Sequence, residues 1–321
     1  MILAVLEAHD GNLKKISPEL VSAARSLERM LAAGGVTLLL VGDDAQAAAA
    51  AAPLGDGVLT VRGEAFTAYA AEAWAEAVAQ AARDVQAKAI VLGSTSFGRD
   101  LAPRVAGLLQ AGLLADVGEL VLDGGRLRAE RSIYSGKVNA QTVSLSAVTV
   151  ATIRPNAYPA AAPLAAAGSV RELAVPVDAA KVRCRVREVR RQEAGRPELT
   201  EASVVVAGGR GLKEAENFHL IEELADLLGA AVGTTRATVD AGWRPHSEQI
   251  GQTGKNIAPS LYICVGISGA VQHISGVLGS RTIVSINRDA EAPIFKISDY
   301  GVVGDALEVL PPLIEEVRKL G

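Results

Sequence analysis

Short β-branched or Leu-rich runs alternate with Ala-rich stretches along the first half of the chain, and this alternation restricts the fold more than any other feature. Runs of that length suit buried strands, while the Ala-rich stretches suit helices, so the pattern predicts a parallel sheet covered by helices. Strands are expected over residues 2–6, 36–41, 58–61 and 89–92, and helices near 18–33, 66–82 and 98–109. After Asp116 the texture changes. Residues 119–122, 127–133 and 142–153 read as strands with no helix between them, and Asp123-Gly124-Gly125 reads as a turn. Connections so short cannot make a parallel crossover, so antiparallel additions to the first sheet are expected.

A charge-dense stretch over 182–200 ends near Pro197, and its alternating first half is expected as a last strand. The predicted organisation is therefore an N-terminal α/β domain over 1–190, a linker over 191–200 and a second α/β domain over 201–321. In the second domain, strands are expected at 203–207, 261–265 and 282–287, with helices at 214–228, 269–277 and 306–319. A length of 321 residues suits two domains, each able to bury its own core.

Scarcity excludes several chemistries. Two cysteines, Cys184 and Cys264, lie eighty positions apart, which leaves no CxxC pair and no zinc framework and argues for a reducing compartment, here the cytoplasm. The stretch 1–7 lacks a basic region and reaches Glu7 after a few apolar residues, so it reads as a first strand rather than a signal peptide. No apolar run approaches the ~18 residues of a membrane span. A net charge of −4 argues against a nucleic-acid surface.

Four constellations could carry chemistry. The first is Gly208-Gly209-Arg210-Gly211 after a Val-rich run, ahead of a helix holding Asn217 and Glu222. Glycines there would let backbone amides approach a phosphate, with Arg210 as a charged donor; the alternative is a plain strand-to-helix turn with Arg210 in solvent. It departs from G-x-G-x-x-G, since Glu214 holds the last glycine position. The second, Gln249-Ile250-Gly251-Gln252-Thr253-Gly254-Lys255, is no NTPase loop, because Gln249 and Asn256 occupy the positions of Gly and Ser/Thr. It is a polar, glycine-hinged loop that could bond a heterocycle, or a surface turn. The third runs from Tyr262 to His273. Its Gly266-Ile267-Ser268-Gly269-Ala270 nearly matches a serine nucleophile elbow, but no His follows His273 to complete a triad. Ser268 is instead expected to cap a helix whose first turn offers its amides to an anion, with Gln272 and His273 one turn on. The fourth is the strand end at Asn287, placed with Asp299-Tyr300-Gly301 and Asp305 outside the carboxyl ends of strands, where open α/β sheets bind ligands.

With these residues in view, the second domain resembles the FAD-binding domain of the electron transfer flavoprotein alpha subunit, a DHS-like FAD-binding domain. The stretches that carry the resemblance are Gly208 to Gly211, Arg236-Ala237 with Val239 to Gly242, Gln252 to Lys255, Val265 to Ala270 with Gln272-His273, Ile286-Asn287, and Glu291 to Phe295 with Asp299-Tyr300-Gly301. The first domain resembles the same subunit more diffusely, through Leu92 to Thr95, Gly98 to Leu101, Pro103 to Ala106 and Tyr134-Ser135-Gly136.

The resemblance implies an electron carrier rather than a substrate-converting enzyme. It implies a heterodimer with a beta subunit, which would hold AMP, while this chain holds FAD. Electrons would come from flavoprotein dehydrogenases, such as the acyl-CoA dehydrogenases of fatty acid oxidation, and go to a membrane quinone oxidoreductase. It also implies that Arg210 meets the FAD phosphates, that Gly266 and Ser268, Gly269, Ala270, Val271, Gln272 and His273 line the cofactor, and that Thr253 lies near the flavin N5. Thr235, Arg236, Gln249, Ile250, Gly251 and Gln252 join the site, with Arg236 and His273 near the ring; Asn287 and Asp305 contact the adenosine half. A reduced flavin gains negative charge around N1 and O2, which a guanidinium and an imidazole donor would favour. The segment Trp243 to His246 has no role in this reading. The competing expectation is a nicotinamide- or nucleotide-binding α/β oxidoreductase, disfavoured by the imperfect glycine fingerprint.

Overall fold

A computed structural model describes residues 1–134, 138–178, 180, 182–184, 186–188 and 195–320. It divides the chain into two compact units, one taking most residues up to 191 and the other those after it. Each is an α/β unit with a parallel sheet flanked by helices, as expected.

The first unit is built from β1 (Ile2–Val5), β2 (Ala8–His9), β3 (Asn12–Leu13), α1 (Ile16–Leu31), β4 (Val36–Val41), α2 (Ala45–Ala51), β5 (Gly57–Val61), α3 (Ala71–Asp84), β6 (Ala89–Gly93) and α4 (Ser96–Leu109). These are followed by β7 (Gly112–Val117), β8 (Leu120–Asp123), β9 (Arg126–Ile133), β10 (Val138–Val143), β11 (Thr149–Ile153) and β12 (Ser169–Glu172). Seven strands form one sheet in the order β12-β5-β4-β1-β6-β11-β7. The central strands are buried on both faces, which is why they read as unbroken apolar runs. Helix α3 covers one face with Ala73, Ala75, Ala77, Val78, Ala79, Ala81 and Ala82. Alanine combines high helix propensity with a side chain small enough to bring the helix close to the sheet.

The expected antiparallel additions to this sheet are corrected. Strands β7, β11 and β12 join it in parallel pairings, whereas β8, β9 and β10 form a separate three-stranded sheet in which β8 runs antiparallel to β9 through the Gly124-Gly125 turn. Residues 142–153, expected as one strand, are two strands in different sheets. Residues 182–184 and 186–188 are not in a strand, against the expectation for the charge-dense stretch; 185 and 189–194 of that stretch and of the expected linker lie outside the described residues, as do Ser135 and Gly136.

The second unit contains β13 (Val204–Gly208), α5 (Phe218–Leu227), β14 (Ala231–Thr234), α6 (Arg236–Asp240), β15 (Leu261–Val265), α7 (Val271–Ile274), β16 (Ile283–Asn287), β17 (Tyr300–Val303) and α8 (Ala306–Leu320). The five strands pair in parallel in the order β14-β13-β15-β16-β17. One face packs Tyr262, Cys264, Ile250, Ile267 and Ile294. The other packs Phe218, Ile221 and Leu224 of α5 with Leu310 and Ile314 of α8. No helix among the described residues is long and apolar enough to cross a membrane.

Candidate functional site

Parallel α/β sheets present ligand crevices at the carboxyl edge, where the strand order reverses. The first sheet reverses between β1 and β6, and its own side chains fill that point. Glu7, just past β1, is buried and accepts a hydrogen bond from Thr95 Oγ1 at 2.7 Å, while Ser94 Oγ donates to Asp116 at 2.8 Å. The N-terminus of α4 also closes in, since a Cβ on Gly98 would lie 1.9 Å from the Gly93 carbonyl oxygen.

The second sheet reverses between β13 and β15, and there the lining is main chain. The glycine turns that follow these strands touch each other: Gly209 N–H donates to the Val265 carbonyl at 2.9 Å, and Gly211 N–H to the Gly266 carbonyl at 2.9 Å. A Cβ on Gly209 would sit 2.4 Å from the Gly266 oxygen, and one on Gly266, where φ is 63°, would sit 2.7 Å from Gly211 Cα. This corrects the part of the first motif's reading that gave its glycine amides to a phosphate. The amides of Gly209 and Gly211 are committed to the neighbouring turn, so these glycines allow backbone contact between two turns. Arg210 is exposed and opens a one-turn helix, Arg210–Leu212; α5 begins only at Phe218.

Free amides occur on the partner turn. Residues 267–272 contribute six consecutive backbone N–H groups that make no hydrogen bond among the described residues. Gly269 bends this stretch at φ 83°, where any side chain would strike Ile294, whose N–H donates to the Ser268 carbonyl at 3.1 Å. The bend carries Ser268 out of capping register. Helix α7 starts after Ala270 with no side-chain cap and is only four residues long, so the expected Ser268 cap and the 269–277 helix are both corrected. Ile267 and Gly269 are buried, while 268 and 270–272 are exposed, so most of these groups face outward. A run of open N–H groups suits a ligand rich in acceptor oxygens, such as a pyrophosphate.

The loop 249–255 packs against the same turn. Gln252 N–H donates to the Gln272 carbonyl at 2.8 Å, and Gly251, at φ 131°, lies so close that a Cβ would be 2.6 Å from that oxygen. Gln249 and Ile250 are buried below, and Ile250 N–H donates to the Thr234 carbonyl at the end of β14. The Gln249 side-chain amide donates to Thr253 Oγ1 at 2.9 Å, holding an otherwise exposed hydroxyl in place. His273 is 5% exposed; its Nε2 lies 2.7 Å from the Tyr262 hydroxyl, and its Nδ1 is buried with no hydrogen bond. Burial lowers its pKa to about 4, only partly opposed by the Ile250 backbone, so the imidazole is neutral at pH 7.

The remaining candidates sit along the same edge. Thr235 and Arg236 follow β14, which pairs with β13 so that Thr234 lies beside Gly208, and the Thr234 hydroxyl donates to the Gly208 carbonyl at 3.1 Å. Arg236 is exposed, with Asp240 Oδ2 at 3.3 Å. The Asn287 side chain donates to the Ile267 carbonyl at 2.9 Å, which helps fix the amide-rich turn. Asp305 accepts from Leu307 N–H at 3.0 Å at the start of α8 and pairs with Lys213 at 2.8 Å, and that ammonium holds its carboxyl below the usual range.

Two features escaped sequence reasoning. The segment Trp243 to His246 proves to be a clamp: Arg244 bonds Glu248 through two nitrogens at 2.6 and 2.7 Å, bonds Glu222 of α5 at 2.7 Å and stacks over Phe218, fixing the entry to the 249–255 loop. Tyr262 lies within an apolar strand run, which carries no sign that its hydroxyl meets a histidine.

The chain has relatives among known proteins along nearly its whole length. The family model described as "Electron transfer flavoprotein domain" matches residues 2–178, and that described as "Electron transfer flavoprotein FAD-binding domain" matches 198–278. The chain is 38% identical to the electron transfer flavoprotein subunit alpha of Bacillus subtilis (strain 168), over 99% of this chain and 98% of that protein. It is 40% identical to the subunit of the same name from Syntrophomonas wolfei, over 98% of each. The "Protein FixB" of Clostridium saccharobutylicum is 36% identical over 98% of this chain and 95% of its own length.

Proposed function

The chain belongs to the electron transfer flavoprotein alpha-subunit family, and from that premise we propose that its second unit holds one FAD at the carboxyl edge of the β13–β15 sheet and serves as an electron carrier. The observation that carries this reading is the run of six unpaired amides over 267–272, set beside the glycine contact at 209, 211 and 266. Those amides would hold the pyrophosphate, with Ser268, Gly269, Ala270, Val271 and Gln272 lining it and Arg210 adding charge from the facing turn. The flavin supplies the redox chemistry, accepting electrons and passing them on.

The protein's own groups bind and bias it. Thr253, held by Gln249, offers a hydroxyl; His273 offers a neutral imidazole donor; Arg236 brings a guanidinium. Each favours added negative charge on the ring. Asn287 and Asp305 lie toward the adenosine end of the site. Residues 1–190 pair with a beta subunit that carries AMP, 191–200 form the linker, and 201–321 hold the cofactor. In the cytoplasm, electrons come from flavoprotein dehydrogenases, acyl-CoA dehydrogenases of fatty acid oxidation among them, and leave to a membrane quinone oxidoreductase.

Coexpression with the beta subunit followed by flavin and AMP quantification tests this. One FAD and one AMP per heterodimer are expected. Two FAD would indicate a bifurcating carrier, and a purified heterodimer devoid of flavin would overturn the assignment.

A further inference from the structure

Tyr262 is the buried partner of His273, on which the proposed function draws directly. Tyr262 is the second residue of β15 and is fully buried, with Val205 and Ile283 on its neighbouring strands. Its hydroxyl has one hydrogen-bond partner among the described residues, His273 Nε2, eleven positions along the chain. The direction of that bond follows from counting what each choice leaves unpaired. If Nε2–H donated to the phenol oxygen, the phenol proton would be buried without an acceptor and Nδ1 would be a buried acceptor without a donor. If the phenol donates to Nε2, both of those groups are satisfied and only Nδ1–H remains, a donor that the Ile250 backbone favours. Leaving two buried polar groups unpaired costs about 1–3 kcal/mol for each, so the second arrangement wins.

We infer that Tyr262 is a positioning residue: its buried hydroxyl donates to His273 Nε2, fixes the imidazole in the Nδ1–H tautomer, and so sets which nitrogen of the ring carries its one N–H beside the bound cofactor. A histidine's free nitrogen takes its protonation from the bond the other nitrogen makes. The same burial that keeps the ring neutral removes competition from water for that donor. The inference rests on the FAD reading for its effect on the flavin, while the tautomer itself is a property of this chain alone.

The test uses the heterodimer with its bound flavin, labelled with 15N-histidine, as wild type, Tyr262→Phe and His273→Gln; the last assigns the His273 signals. Wild type at pH 7 is expected to show His273 as a single neutral Nδ1–H tautomer. Tyr262→Phe is expected to retain FAD, to convert that ring to a mixture or to the Nε2–H form, and to lower the flavin midpoint potential. An Nε2–H tautomer in wild type overturns the inference whether or not the variant folds. So does an unchanged tautomer in Tyr262→Phe. A shifted tautomer with an unmoved potential overturns the link to the cofactor. Absence of flavin from wild type would instead refute the proposed function, with the tautomer still readable.

Discussion

The glycine contact between the turns after β13 and β15 can be weighed by a pair of substitutions. Gly266 and Gly229 share a left-handed conformation, at φ 63° and 57°, but differ in surroundings: a Cβ on Gly229 meets nothing within 4 Å, whereas one on Gly266 meets Gly211 Cα at 2.7 Å and its carbonyl carbon at 2.9 Å. Left-handed backbone costs an L-residue about 1–2 kcal/mol, and forcing a methyl into a packed site costs ~1–3 kcal/mol more. Gly229→Ala should therefore destabilise the second unit by about 1–2 kcal/mol, and Gly266→Ala by ~2–5 kcal/mol, the excess measuring the contact. Because the two units need not unfold together, the signal must come from the second alone. The chain has two tryptophans, so a Trp74→Phe background leaves Trp243, packed against Phe218, as the reporter. Urea midpoints at unchanged m give the two values. If Gly266→Ala and Gly229→Ala agree within about 0.5 kcal/mol, backbone conformation alone explains both glycines and the turn-on-turn argument fails.

Two further outcomes follow from burial. The unfolded imidazole of His273 takes a proton near pH 6.5, while the folded one resists until about pH 4, so the unfolded state binds more protons in that window and stability falls with pH across it. At ~1.4 kcal/mol per pH unit, wild type should lose up to about 3 kcal/mol relative to His273→Gln between pH 6.5 and 4, and parallel stability curves for the two proteins would refute it. Burial likewise pushes the Cys264 thiol up to about 12, against a weaker opposing bond from Ser285, whereas Cys184 is exposed. A thiol reagent at neutral pH should modify one cysteine per native chain and the second only in denaturant; rapid modification of both would show that β15 opens far more readily than its packing implies.

What could be read from the sequence was what burial writes into it. Strand β4 was expected at the residues where it occurs because all six of its side chains are buried and apolar. Strand β17 left no such mark, since all four of its residues are exposed, and β14 was hidden by an Ala and a Gly that fill a strand without favouring one. The glycine motifs were legible as motifs, but their use was not. At Gly209 and Gly211 the glycines serve backbone packing, and the amides open to a ligand lie on the facing turn, which only the pairing of β13 with β15 brings alongside. Ser268 failed as a cap for a local reason, the bend at Gly269. The chain direction change after β7, which sends β8 to β10 into their own sheet, depends on long-range pairing that short turns do not encode.

The stretch 267–272 offers peptide groups rather than side chains, and every residue type except proline supplies the same N–H. Alanine scanning across Ser268, Val271 and Gln272 would thus leave its anion-holding capacity almost untouched and could class the segment as dispensable. Its tolerance to replacement would reflect redundancy of chemistry, with vulnerability confined to Gly266 and Gly269, which set its curvature, and to imino acids, which delete a donor outright.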